Sequence, residues 1–245
     1  MRADLYLFEK GYARSREDAR RSILAGLVKI DGKMVSKPSA QIDEEFSGNV
    51  EFSRSVPYVG RGGLKLEAAL DRFKIDVSGL CCVDVGASTG GFTDCLLSRG
   101  AAKVYAVDSG HGQLAPELRS DPRVVPMEGV NAKFITPADF PDAPHLAVMD
   151  VSFISQTQLH AAVFGILKPG GMFVSLIKPQ FECGKGNIGK GGVVRDRKKR
   201  ETAVGKVLDS ARLTGFTVAG RFESPLTGGD GNVEYLALFV KGGNI

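Results

Sequence analysis

Hydrophobic positions follow two different rhythms along the chain, and the change between them falls near residue 60. In ADLYLFEKG the spacing predicts a short helix with Leu5 and Phe8 turned inward and Gly11 as a left-handed stop. A second helix follows, with Ser15 as its cap and Asp18 three residues on, as in a capping box. Its apolar stripe is Ala19, Ile23, Leu24 and Leu27. LVKIDGKMV predicts two short strands joined at Asp31-Gly32, a pair suited to the positive backbone angles of a two-residue hairpin. Pro57 and the glycines of SRSVPYVGRGG predict a linker at about 53–63. Beyond it the rhythm changes: LCCVDVG, KVYAVDSG, RVVPM, HLAVMDVSF and GMFVSLIKP are short apolar runs separated by stretches that can carry helices, the signature of buried parallel strands. FTVAGRFE and NVEYLALFVK, divided by a Gly-rich turn, alternate like an antiparallel pair. The expected architecture is a small α+β module over 1–60, then an α/β domain over 64–245. Its doubly wound, mostly parallel seven-stranded sheet has an antiparallel last strand and holds ligands at the strand C-terminal ends.

A length of 245 residues with 43% hydrophobic and 24% charged side chains suits one globular domain plus an appendage and excludes global disorder or a membrane bundle. No apolar run approaches the ~18 residues that span a bilayer, and the charged start MRADLYLFEK lacks a secretory apolar stretch, so a cytoplasmic protein without a membrane partner is expected. Cys81, Cys82, Cys95 and Cys183 show no metal-ligand spacing, so reduced thiols and no metal site are expected. The formal net charge of +4 gains meaning from its location. Residues 1–40 hold nine Lys or Arg against five Asp or Glu, whereas the remaining 205 residues hold 23 of each.

Two helices and a hairpin carrying that surplus would present a cationic surface suited to phosphates, although Glu9, Glu17 and Asp18 dilute it toward an ordinary solvated face. The order of residues is more specific. RADLYLFEKGYARSREDARRSILAGLVKIDGK resembles the S4 RNA-binding domain, including the SRE opening of the second helix and the G-x-V-x-I-D-G-K hairpin. That resemblance implies binding of structured RNA, with Arg2, Arg14, Arg16, Arg20, Lys29, Lys33 and Lys37 near phosphate.

In the second domain, Asp84, Gly86, Ala87, Ser88, Thr89, Gly90 and Gly91 turn from the first strand into a helix, where small residues let backbone approach a ligand. Asp108 ends the next strand, at a spacing that suits a carboxylate accepting hydrogen bonds from a ribose. A dinucleotide loop would need glycine where Ser88 stands. D-x-G-x-S-x-G, followed later by LKPGG, is more similar to the loop of S-adenosylmethionine-dependent methyltransferases, whose cofactor lacks phosphate. Phe92, Ser109, Asn131 and Asp150 complete the expected cofactor contacts. GKGNIGKGG at 184–192 imitates a P-loop, but Gly191 replaces the hydroxyl residue that would hold magnesium; a basic loop near the substrate is the better reading.

Asp150-Val151-Ser152-Phe153 lacks the N-P-P-Y-like pattern of amino-group methylation, and no cysteine is placed for attack on a pyrimidine. A ribose 2′-hydroxyl needs a base for its proton. Lys178 after the fifth strand can serve, since a neighbouring cation such as Lys65 favours the free amine while Asp150 and Glu234 hold the ammonium. GRGGLKL, MDVSFIS, IKPQFE and GNVEYL resemble the corresponding segments of the TlyA family almost throughout the chain. The family joins an S4 domain to an FtsJ-like, Rossmann-like class I methyltransferase domain. The resemblance implies a catalytic tetrad at Lys65, Asp150, Lys178 and Glu234, with S-adenosyl-L-methionine as cofactor. The implied substrate is a cytidine 2′-hydroxyl of 23S and, in some members, 16S ribosomal RNA, so ribosomal RNA or ribosomal subunits are the expected partners. Ser88 departs from the commoner glycine of the loop. A monomer is expected. A membrane-active haemolysin and a non-catalytic RNA-binding or ribosome-assembly factor are the rival readings.

Overall fold

A computed structural model describes residues 1–53 and 57–242, which form two compact units, Met1–Val59 and Gly60–Ile245. The first unit contains α1 (Ala3–Glu9), α2 (Arg16–Leu24) and a three-stranded antiparallel sheet of β1 (Val28–Ile30), β2 (Lys33–Met34) and β3 (Val50–Phe52), in the order β2-β1-β3. Asp31 and Gly32 both adopt positive φ, +46° and +74°, so the predicted hairpin turn forms. Ser15 Oγ accepts the Asp18 N–H at 3.1 Å, and the Asp18 carboxylate accepts the N–H of Arg14 at 3.2 Å. The inward faces differ from expectation. Ala3, Tyr6 and Leu7 of α1 are buried while Phe8 is 43% exposed, and Ala19 and Ile23 of α2 are buried while Leu24 is 60% exposed. Helices of seven and nine residues cover a core this small with only part of their circumference, and the inward part of α1 is centred on Ala3, Tyr6 and Leu7. Tyr6 fills the core and donates its hydroxyl to the Phe46 carbonyl at 2.9 Å, so its polar end is satisfied.

The second unit runs α3 (Gly62–Phe73), β4 (Cys81–Val85), α4 (Gly91–Ser98), β5 (Lys103–Asp108), α5 (Pro116–Arg119), β6 (Val124–Glu128), β7 (Leu146–Met149), α6 (His160–Ile166), β8 (Met172–Ile177), α7 (Pro179–Glu182), α8 (Arg197–Thr214), β9 (Phe216–Glu223) and β10 (Tyr235–Lys241). Its seven-stranded sheet has the order β6-β5-β4-β7-β8-β10-β9, with β4 to β8 parallel and β10 antiparallel to both of its neighbours. The last strand inserts between β8 and β9, so β9 runs parallel to β8. The order reverses between β4 and β7, which opens a crevice at their carboxyl ends. Every residue of β4 is buried, as expected of a parallel strand covered on both faces. No helix among the described residues is long and apolar enough to cross a membrane. All four cysteines are free thiols, and Cys81, Cys82 and Cys95 are buried.

On one face of the sheet, Phe173, Phe216 and Phe239 pack ring to ring, and His160 of α6 joins them with its ring centroid 6.0 Å from that of Phe173. His160 Nδ1 is 3.0 Å from Ser210 Oγ, whereas Nε2 has no partner among the described residues. Burial therefore pulls the imidazole down from 6.5 to about 4. Above pH 6.5 the ring is neutral in both states; as pH falls, the unfolded chain binds the proton first, and stability drops. This group is expected to withdraw on the order of 3 kcal/mol between pH 6.5 and 4. Urea unfolding of the wild type and His160→Gln at pH 7.5 and 4.5 measures it: the wild type should lose more stability on acidification than the variant, and equal losses would contradict the assignment.

Candidate active site

The turn from β4 into α4 is shaped by backbone rather than by side chains. Gly86 has φ = +84°, and a Cβ there would lie 2.7 Å from the Asp150 carbonyl oxygen, so no other residue fits between the ends of β4 and β7. The N–H groups of Gly86 and Ala87 donate to the Val107 carbonyl at 2.9 and 3.1 Å. Ser88 takes a left-handed φ of +49°, the conformation for which the commoner loop uses glycine, and its N–H donates to Asp108 Oδ2 at 2.8 Å. Asp108 Oδ1 accepts the Gly110 N–H at 2.7 Å. Each Asp108 oxygen thus retains a lone pair for a ligand hydroxyl. Beneath the turn Asp84 is fully buried: Oδ2 accepts Thr93 N–H and Thr93 Oγ1–H at 2.9 and 2.7 Å, while Oδ1 has no partner among the described residues. Burial pushes its carboxyl up to about 7, against the lowering effect of the Thr93 hydroxyl.

A cleft of about 470 Å³ opens over this turn, lined by Gly86, Ser88, Asp108, Ser109, Asn131 and Asp150 from the expected set. Asp84, Ala87, Thr89, Gly90, Gly91 and Phe92 do not line it. Asp84 and Phe92 point into the protein, and the Thr89 hydroxyl lies beside Gly60, 3.3 Å from where a Cβ would stand. These six shape the loop from behind. Asn131 Oδ1 accepts the Lys133 N–H at 3.0 Å, so the side chain caps a short turn as well as facing the cleft. The pattern missed the apolar wall, Val107, Val130, Ala132 and Leu159, and the lip formed by Gln113 and Val151–Ile154. Val107 belongs to β5, and the others stand in loops or short turns with no periodic signal. Phe153 is the exception that could have been noticed, as a large apolar residue directly after a strand's polar end: it has φ = +65°, is 93% exposed, and its ring centroid lies 5.3 Å from that of Phe181.

Two lysine–carboxylate pairs stand at the carboxyl edge beside the cleft. Lys178 Nζ lies 2.7 Å from Asp150 Oδ1 and donates to Ser152 Oγ at 2.8 Å. Lys65 donates to Glu234, with the two residues 7% and 2% exposed. Strand register brings the pairs together: Tyr235 faces Ile177, so Glu234 and Lys178 occupy the next step of the same ladder. From the other side, a Cβ on Gly62 would lie 3.6 Å from Asp150 Oδ2, and Lys65 follows one helical turn later on the same face of α3. The predicted linker at 53–63 is therefore corrected at its end. Gly60–Gly63 are not a tether but pack on the cofactor-type loop, where a Cβ on Gly91 would meet the Gly63 N–H at 3.2 Å. Residues 54–56 of that linker lie outside the described residues. Behind Lys178, Ser175 donates to Gln156, whose N–H donates to Glu182 at 2.8 Å; this buried chain fixes α7 beneath the Ser152–Phe153 lip.

The N-terminal cations are less free than their count suggests. Arg2 and Arg16 both pair with the buried Asp4 at 2.9 and 3.4 Å, Arg20 pairs with Glu17 at 3.4 Å, and Lys29 with Glu51 at 3.3 Å. Lys33 and Lys37 are exposed without an ion pair among the described residues, and Arg14 is half-buried. The glycine-rich segment 184–192 forms two single turns, with α8 starting only at Arg197, and makes no phosphate cradle of the P-loop kind.

An FtsJ-like methyltransferase family model matches residues 58–241, and an S4 domain model matches residues 1–45. The chain is 45% identical over 96% of its length to the 16S/23S rRNA (cytidine-2′-O)-methyltransferase TlyA of Mycobacterium tuberculosis, covering 87% of that protein. It is 45% identical over 98% of its length to Hemolysin A of Brachyspira hyodysenteriae, covering all of it. A solved structure from Streptococcus thermophilus with a hemolysin designation superposes with a TM-score of 0.77 at 42% identity, covering 99% of this chain and 88% of that one. An S-adenosylmethionine dependent methyltransferase from Mesorhizobium loti, 21% identical, shares the fold with a TM-score of 0.55 over 74% of this chain and 100% of the other. The chain belongs to the FtsJ-like methyltransferase family, in the TlyA group that carries an S4 domain ahead of the methyltransferase domain.

Proposed function

We propose that this protein transfers a methyl group from S-adenosylmethionine to the 2′-oxygen of a cytidine in ribosomal RNA, working in the cytosol. The observation that carries this reading is one lysine amine held between a carboxylate and a hydroxyl at the edge of a nucleoside-sized cleft. None of the residues described as lining that cleft is Lys or Arg, while Asp108 and Asp150 both face it. A pyrophosphate would be repelled there, and a cationic sulfonium nucleoside would be attracted. Asp108 would hold the ribose hydroxyls, Val107, Val130 and Leu159 would flank the base, and Gly86 would admit the chain at backbone distance. When bound, the cofactor supplies an electrophilic methyl group.

The remaining chemistry falls to the chain's own residues. Lys178 serves as base only in its free-amine form, so it gives a proton to solvent before the step, takes the 2′-hydroxyl proton as the oxygen gains the methyl group, and is then again the ammonium paired with Asp150. Asp150 and Ser152 fix the amine's position, and Asp150, which also lines the cleft, aligns it with the donor. The buried Lys65–Glu234 pair orients the sugar from the far side while adding no net charge. Phe153, projecting from the lip, offers a face on which the target base can stack. The S4 unit supplies a separate RNA contact, centred on Lys33 and Lys37.

Purified protein is expected to transfer labelled methyl to unmodified 23S or 16S RNA, leaving one nuclease-resistant dinucleotide at a cytidine; label on a base would overturn the reading. Lys178→Ala should lower transfer by roughly 10²–10⁴-fold while cofactor binding persists. Lys178→Arg should fail equally, because guanidinium keeps the charge but accepts no proton; an active arginine variant would show that charge alone suffices. Phe153→Ala should weaken productive RNA binding by about 1–3 kcal/mol, read as a raised KM for RNA with unchanged cofactor affinity.

A further inference from the structure

We infer that the basic turn opening α8 is a second RNA anchor, built into the methyltransferase unit, that grips phosphates flanking the target nucleotide; this rests on the rRNA reading above. Residues 195–200 read Arg-Asp-Arg-Lys-Lys-Arg, five cations and one acid. The acid is already used: Asp196 Oδ1 accepts the N–H groups of Lys198 and Lys199 at 2.8 and 3.4 Å, capping the helix. One cation is used as well, since Arg200 Nη1 donates to the carbonyls of Val194 and Arg195 at 3.1 and 2.8 Å. Arg195, Arg197, Lys198 and Lys199 remain, all exposed, and none forms an ion pair among the described residues. The neighbouring Glu201 is engaged with Arg221 at 2.8 Å. Four cations at a helix start, where the backbone dipole is also positive, repel one another and the helix end. A polyanion would relieve that repulsion, and the helix's own amides are not needed to bind it.

Position selects RNA phosphate as the polyanion. Because β9 runs parallel to β8, the helix leading into β9 begins at the carboxyl edge of the sheet, the edge that carries Asp150 and Lys178. The turn is clipped there. Asn232, 1% exposed, accepts the Val194 N–H at 2.9 Å and donates to the Gly192 carbonyl at 3.0 Å, two residues before Glu234. Lys206 donates to the Glu182 carbonyl at 3.3 Å, tying α8 to α7, which starts directly after Lys178. The four charges are thus pinned at the edge where a ribose must lie, rather than carried on a loose arm.

The test compares the full-length wild type, R197Q/K198Q/K199Q and the charge-conserving R197K/K198R/K199R for binding to an unmodified 23S rRNA transcript across a salt series. The glutamine variant should bind roughly tenfold more weakly near physiological salt and show a log K against log salt slope shallower by about 2, with S-adenosylmethionine affinity unchanged. The charge-conserving variant should keep the wild-type slope. Equal affinity and slope for wild type and glutamine variant would overturn the anchor, as would loss of binding to phosphatidylserine vesicles with rRNA binding intact. If the wild type itself bound rRNA without salt dependence, the rRNA reading would fail first, and the anchor with it.

Discussion

Pairing of lysines with carboxylates at the carboxyl edge of the sheet sets the terms for the rest of the catalytic unit. An ion withdrawn from water costs several kcal/mol unless it is matched, so a site that keeps two amines near a substrate must bring two carboxylates with them. Lys65 with Glu234 is nearly dry, and breaking it by removing one partner would leave a buried charge worth about 3–5 kcal/mol of destabilisation. Lys178 with Asp150 is more open, with side chains 13% and 24% exposed. The closed pair is sealed from solvent, and the open pair is the one a molecule in the cleft could reach, which is why the proton-transfer role proposed above falls to Lys178.

That division explains the layout around it. α3 must approach the β4–α4 loop closely enough to deliver Lys65, which is why glycines at 60–63 meet glycine at 91 with little room for a Cβ. β10 must pair with β8 for Glu234 to reach the ladder step of Lys178. The strained Ser88 and Phe153 both line the cleft, each holding a left-handed conformation of the sort that costs of order 1–3 kcal/mol and persists where surrounding structure enforces it.

Charge is distributed with the same economy. The N-terminal unit carries the formal surplus, yet Asp4 alone engages Arg2 and Arg16, and so binds a share of that surplus internally. The balanced remainder of the chain contains an acidic cleft and, on the same edge, a local excess of cations at 195–199. Net charge by segment therefore misplaces both features, because neutrality over 205 residues conceals a local separation of signs.

The central strands of the larger sheet were legible from the chain because a strand covered on both faces has to be a short apolar run, and LCCVDVG or GMFVSLIKP has few other uses; the edge strand β9 was legible from its alternation of buried and open positions. The hairpin at Asp31-Gly32 was legible because few residue pairs accept its backbone angles. Burial in the first unit was not: Leu5, Phe8 and Leu24 have the right spacing, but which side of a short helix turns inward depends on the partner it meets. Most of the apolar wall of the cleft, apart from Val107 of β5, and its Phe153 lip were illegible for a related reason, since loops carry no period. The chain by itself determined the strand and helix types of the larger unit and the residue types available for chemistry, because these depend on local sterics and periodicity; it did not show β3, whose three residues are too few to carry a period, nor the ends of β7 and β10. Tertiary structure alone decided that β10 inserts beside β8, that Gly60–Gly63 belong to the site, and that Lys65, Asp150, Lys178 and Glu234 meet as two pairs, because contacts between residues up to 169 positions apart are set by sheet register and packing.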